Sequence, residues 1–207
     1  MSRSFPHMPE AERRKWQDSK TILSEIGLKP DDTFVDIGCG EGYFTLAAAR
    51  VVGEKGIVYG IDIDEDAINR LQQSYKKEDL KNIILIVGDA ETTVFCNRCA
   101  DIVFLGIDLH DFRDPSAVLK NARKMLKADG KLVDLDWKKE PAPFGPPVEI
   151  RFDEAKATML IEGAGFKIES VKPEGLHHYL IIAKALGEKH ESQQTDRVHT
   201  RSPGQGG

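Results

Sequence analysis

The densest chemical signal in this chain is the run Asp36-Ile37-Gly38-Cys39-Gly40-Glu41-Gly42. Glycines at alternate positions let a backbone turn sharply and approach a ligand closely. A helix beginning at once behind them offers the partial positive charge of its N-terminus. Dinucleotide-binding proteins use such loops too. Their fingerprint, however, wants a small residue three positions after the second glycine; here that position is Tyr43, and the third glycine comes early, at Gly42. A pyrophosphate would meet a crowded helix start. Two acids accompany the loop. Asp62 closes Tyr59-Gly60-Ile61-Asp62, where a carboxylate can accept from both hydroxyls of a ribose. Its alternative role is a helix N-cap, for which Asp64 is better placed. Asp89, in Gly88-Asp89-Ala90, can accept from an adenine amino group while the Ala90 amide donates to the ring; its alternative is a plain loop acid.

The elements that must position these residues follow from hydrophobic pattern. A helix is expected over 18–28, stopped by Lys29-Pro30-Asp31-Asp32. Strands are expected at Thr33–Ile37, Gly56–Ile61, Ile83–Val87, Asp101–Leu105 and Lys131–Trp137. Ile83–Val87 has no polar interruption, which predicts a central strand. Helices are expected at Tyr43–Val52, Asp64–Lys77 and Pro115–Leu126, the last with Asp114 as N-cap. After the loop from Pro141 to Pro147 the rhythm changes to a helix, Asp153–Glu162, and strands at Gly165–Val171 and His177–Ala185, with a turn at Pro173-Glu174-Gly175. Strands joined by a turn run antiparallel. The pattern is therefore an α/β, Rossmann-like, doubly wound seven-stranded sheet: five parallel strands plus an antiparallel C-terminal β-hairpin. Residues 1–29 read as a cap segment and helix, 30–185 as the ligand-binding domain, and 186–207 as a disordered tail.

The 207 residues suit one domain, and the net charge of -5 argues against general nucleic-acid binding. A local basic patch at Arg13, Arg14 and Lys15 remains compatible with that balance. No apolar run is long enough to span a bilayer, and the N-terminus lacks the apolar core of a secretory signal, so a cytoplasmic protein without membrane contact is expected. Cys96 and Cys99 form half of a zinc-type pattern with no second pair, so thiols in a reducing compartment and no metal site are expected, with metal or redox chemistry as the alternative. His177 and His178, on alternate faces of a strand, make no metal pair. The oligomer is a monomer or a homodimer.

Taken together, the loop Val35-Asp36-Ile37-Gly38-Cys39-Gly40-Glu41-Gly42, the acid Asp62, the pair Asp89-Ala90 and the antiparallel last strand resemble class I S-adenosylmethionine (SAM)-dependent methyltransferases, in particular the UbiE-like or type 11 domain proteins. The resemblance covers roughly residues 30–185. SAM carries an amino-acid end where dinucleotides carry pyrophosphate, which agrees with the loop's departure from their fingerprint. The resemblance implies that Gly38 and Gly40 line the methionine end, Asp62 the ribose and Asp89 the adenine, with Ile63 on the adenine face. Asp36, Cys39, Tyr43, Ala90 and Gly106 complete the implied cofactor site.

Methyl transfer is an in-line displacement for which the protein mainly supplies alignment and a dry pocket, with a base when the acceptor is protonated. Gly106-Ile107-Asp108-Leu109-His110-Asp111-Phe112 and Asp134-Leu135-Asp136-Trp137-Lys138 should open toward the methyl group. Related enzymes often carry a histidine or an aromatic in the first segment. His110 is therefore the first candidate for acceptor contact or base, Asp108 the second, and Asp136 a loop brace. A His110 that only holds the loop through backbone bonds is the alternative. Phe5, His7, Met8 and Trp16, with the loop 141–147, offer apolar cover. No Asn-Pro-Pro-Tyr motif of amino-group methylators is present, which tilts the acceptor toward an oxygen, carbon, sulfur or metalloid centre in a small molecule. An RNA or protein methyltransferase, a non-catalytic SAM-binding module and a nicotinamide oxidoreductase are the competing readings.

Overall fold

The computed structural model of the protein describes residues 17–187. In chain order its elements are α1 (Ser19–Glu25), β1 (Thr33–Ile37), α2 (Tyr43–Val52), β2 (Ile57–Asp62), α3 (Glu65–Lys77), β3 (Ile83–Val87) and β4 (Ala100–Gly106). A 3-10 turn (Leu109–Asp111), α4 (Pro115–Met125), β5 (Leu126–Trp137), α5 (Glu154–Gly163), β6 (Phe166–Glu174) and β7 (His178–Ala185) follow. The strands form one seven-stranded sheet in the order β3-β2-β1-β4-β5-β7-β6. Strands β1 to β5 pair in parallel, whereas β7 runs antiparallel to both β5 and β6. This is the expected doubly wound sheet with its terminal hairpin.

Alternate strand residues feed two cores, one on each face. Phe34, Phe104, Val133 and Leu180 meet Ile22 of α1, Ile26 just after its end, and Phe44 and Ala48 of α2. Phe104 is the hub, its ring 5.7 Å from Phe34 and 4.6 Å from Phe44. On the other face Val35, Val103, Leu132 and Ile181 pack against α4 and α5 through Leu119, Ala157 and Ile161. Helix starts obey local chemistry: Asp18, Asp64, Asp114 and Asp153 each accept from a backbone N–H of the turn they open.

Four expectations need correction. Strand β3 is an edge strand and not a central one; Ile84 and Val87 are 45% and 50% exposed. An unbroken apolar run does not by itself fix a strand's position in the sheet. Strand β5 begins at Leu126, directly from the end of α4, and its pairing with β4 is irregular between Ala100 and Ile102. Gly130 is needed there, because a β-carbon would stand 2.7 Å from the Ala100 carbonyl oxygen. Pro173 and Glu174 lie in β6, opposite Tyr179 and His178, and the turn follows them. Proline is tolerated because β6 is the other edge of the sheet, where an absent N–H breaks no ladder on the open side. Finally, Cys96 and Cys99 are joined as a disulfide and are not free thiols; the loop between β3 and β4 brings their α-carbons to 5.9 Å, within normal bonding reach. The expected cap residues Phe5, His7, Met8 and Trp16, the basic patch at Arg13 to Lys15, and the tail from 188 onward lie outside the described residues.

Candidate active site

The tips of β1, β2, β4 and β5 open on a cleft of about 1200 Å³, larger than the roughly 300–1,000 Å³ of an ordinary single-ligand pocket. Its wall on one side is the glycine loop. Gly38, Gly40 and Gly42 have φ of +70°, +51° and +88°, a region that penalises any β-carbon. The amides of Gly38 and Cys39 both donate to the Ile61 carbonyl, at 2.9 and 3.1 Å, which ties the loop to β2. A β-carbon on Gly42 would collide with Leu71, whereas one on Gly40 would meet nothing, since that residue faces the cleft. Behind the loop the buried Asp36 accepts from Thr45 Oγ1 at 2.6 Å. Tyr43 reaches across with its hydroxyl donating to the Gln17 carbonyl.

Asp62 holds this geometry together. Its Oδ2 accepts from the Gly40 amide at 2.8 Å and its Oδ1 from the Asp64 amide at 2.9 Å. Asp64, not Asp62, caps α3. Each carboxylate oxygen retains a second acceptor site, so two neighbouring hydroxyls can still be held. Next to it Ile63 lies 60% exposed, an apolar side chain left uncovered on the cleft wall. Asp89 and Ala90 face it from beyond β3. Asp89 Oδ1 accepts from the Glu91 amide at 2.9 Å, and its Oδ2 from Arg113 at 3.1 Å. Asn121 Nδ2 donates to the Ala90 and Glu91 carbonyls at 3.1 and 3.0 Å, anchoring this loop to α4. Sequence reasoning missed Arg113 and Asn121, because single polar residues in a loop and on a helix carry no pattern.

Beyond the loop the cleft changes character. His110 is buried, and its Nδ1–H donates to the Asp136 carboxylate, 2.8 and 2.9 Å from its two oxygens. That bond fixes the tautomer in which Nε2 carries the lone pair. Nε2 has no hydrogen-bond partner and faces Asp111 at 3.6 Å. Burial pushes His110 toward the neutral form, but the hydrogen bond and charge of Asp136 prevail, so its pKa lies above the usual histidine value. Asp136 therefore holds a side chain across the strand gap and also accepts from the Trp137 amide at 2.7 Å. Asp108 sits apart from this pair, its carboxyl on Gly38. Cys39 is buried, and burial, followed by the charges of Asp36, Asp62 and Asp108, pushes its thiol well up.

The outer wall is aromatic. Trp137 packs against Phe144 at 5.7 Å and His178 at 4.3 Å, and Phe144 meets His177 edge-on at 5.1 Å. Trp137, Phe144, Phe112 and Ile150 all line the cleft. Arg151, which sequence reasoning also missed, is buried and builds this wall. Its guanidinium lies 4.8 Å from the Trp137 ring centre and donates to the carbonyls of Pro146, Lys138, Glu140 and Phe144 at 2.8–3.3 Å. The loop 138–147 is thus wrapped around one cation.

A glycine turn, two acids at neighbouring strand ends, an exposed apolar side chain and an aromatic wall thus line one cleft at the strand tips. A family model for a methyltransferase domain matches residues 28–161, and the chain belongs to that family. Its cofactor is SAM, and the open face of Gly40, the spare acceptor sites of Asp62 and the uncovered Ile63 fit that molecule. Two demethylmenaquinone methyltransferases are similar to it. The one from Geobacillus stearothermophilus is 31% identical over 131 residues, 63% of this chain and 55% of its own length. The one from Bacillus mycoides (strain KBAB4) is 32% identical over 117 residues, 56% of this chain and 49% of its own. The chain thus spans about half the length of the curated relatives it matches. Among solved structures, a SAM-dependent methyltransferase from Aquifex aeolicus aligns with a TM-score of 0.81 and 26% identity, over 87% of this chain and all of that one. The [4+2]-cyclase SpnF aligns at 0.70 over 81% of this chain and 80% of its own, with 14% identity, which shows the fold alone. Among the described residues no helix is long and apolar enough to cross a membrane.

Proposed function

We propose that the protein methylates a small molecule whose receiving atom carries a proton at neutral pH, with His110 as the base. The observation that carries this reading is the buried His110–Asp136 pair: His110 lines the cleft, and its Nε2 makes no hydrogen bond. When bound, SAM supplies an electrophilic methyl group on a sulfonium. The chain does the rest: Asp62 and the glycine loop orient the adenosyl end, Trp137 and Phe144 exclude water, and His110 accepts the acceptor's proton at Nε2. Asp136 then stabilises the imidazolium so formed. Acids at Asp111, Glu91 and Asp89 around the rim disfavour a polyanion, and the similar demethylmenaquinone methyltransferases are named for a small acceptor.

The test is methyl transfer from labelled SAM to a panel of phenols, thiols and activated carbon acids. His110→Ala should lower kcat by about 10²–10⁴-fold on the best acceptor, with cofactor affinity nearly unchanged. A variant as active as the parent would remove His110 from the reaction.

A further inference from the structure

Asp108 has no part in the pair just described, yet it is placed with unusual constraint. A β-carbon on Gly38 would stand 2.5 Å from its Cγ and Oδ2, so the carboxyl lies directly on the glycine loop. Oδ2 is closed to bulk solvent and accepts no hydrogen bond, although Asp108 borders the cleft. The groups facing it come from every neighbouring element: Asp36 at the tip of β1, Cys39 in the loop, Asp62 on β2, Asp111 in the 3-10 turn, and Asp136 on β5. The charges acting on it most strongly are carboxylates. A carboxyl so buried and so surrounded holds its proton well above the ordinary range, first because of burial and then because of Asp62, Asp36 and Asp136.

The structure leaves one oxygen unpaired beside the turn where the methionine end of the cofactor belongs. We propose that Asp108 is the acceptor for the cofactor's α-ammonium group and that it releases its proton to solvent when that group arrives. The balance is simple: a carboxylic acid and an ammonium become a carboxylate–ammonium pair plus one proton in the buffer, and no other bond changes. A cation at hydrogen-bonding distance offsets both the burial and the neighbouring acids, and the ammonium, not the carboxyl, then supplies the hydrogens. The inference rests on SAM as cofactor but not on His110 as base. S-adenosylhomocysteine, the demethylated product, carries the same ammonium and is a sufficient probe.

The experiment is calorimetry of S-adenosylhomocysteine on the full chain, in buffers of unlike ionisation enthalpy, between about pH 5.5 and 8. Release should approach one proton per ligand, and affinity should rise by up to tenfold per pH unit wherever Asp108 is protonated in the empty protein and ionised in the complex. Asp108→Asn should abolish the release and flatten the pH dependence. A deaminated analogue on the unaltered protein should bind more weakly and release nothing, which decides the question even if the variant does not fold. Zero release at every pH, release undiminished in Asp108→Asn, or equal release with the deaminated analogue would each overturn the proposal while leaving the cofactor assignment intact. A chain that bound no S-adenosylhomocysteine would contradict both.

Discussion

At His110 two effects oppose each other: burial disfavours the imidazolium and Asp136 favours it, and Asp136 wins. If this histidine is the base, turnover should climb as pH rises through its elevated pKa, since only the neutral ring accepts a proton. Asp136→Asn removes the anion, so the rising limb of the kcat–pH profile should move to lower pH while the plateau falls by about tenfold or more. An unshifted limb would mean that another group titrates. Gly38 allows a second test. With φ at +70° and the Asp108 carboxyl against it, Gly38→Ala should weaken cofactor binding by about tenfold or more and cost at least about 1 kcal/mol of stability, read by calorimetry and urea unfolding. The glycine turn and the placing of Asp62 and Asp89 at the strand ends around the cleft were legible from the sequence. The partnership of His110 with Asp136 was not, because 26 residues separate them and only the pairing of β4 with β5 brings them together.

The elements of the sheet were legible because strand and helix alternate with short connections, and every described α-helix but α2 is announced by an aspartate. What composition could not convey was neighbourhood. Strand β3 is as apolar as a central strand yet lies at the edge, and Pro173 marks an edge strand where it looked like a turn. The loop 138–147 is the clearest case, since its prolines signalled irregular chain and nothing signalled that Arg151 would gather four of its carbonyls. Arg151→Met keeps much of the apolar stem but strands those carbonyls. It should destabilise the protein by about 2 kcal/mol or more by urea unfolding. Through the loosened Trp137–Phe144 wall it should also raise the acceptor KM more than it weakens S-adenosylhomocysteine binding. Equal losses on both ligands would show that the loop serves the whole cleft and not the acceptor side.

For the molecule as a whole, folding has to desolvate acids both in the cleft, at Asp108, and on β5, at Asp134. Asp134 is fully buried with neither oxygen partnered, and burial followed by Asp136 pushes it well above the ordinary carboxylate range, as happens at Asp108. Between the unfolded value near 4 and the folded ones, the native chain binds more protons than the unfolded chain. Stability should therefore fall as pH rises through that window, by about 1.4 kcal/mol per unit for each such group until its folded pKa is passed. His110 adds to the trend, because its raised pKa stabilises the fold below about 6.5 and that contribution is lost as pH rises through the folded value. Asp134→Asn should flatten the slope and raise the urea midpoint at neutral pH. Cofactor binding at the same strand tips is the claim on which the rest stands, and calorimetry of S-adenosylhomocysteine on the parent and on Asp62→Ala tests it most directly. The account predicts one site per chain and a loss of at least about tenfold, 1.4 kcal/mol, in the variant. Equal affinity in a variant that unfolds at the parent's temperature would contradict it.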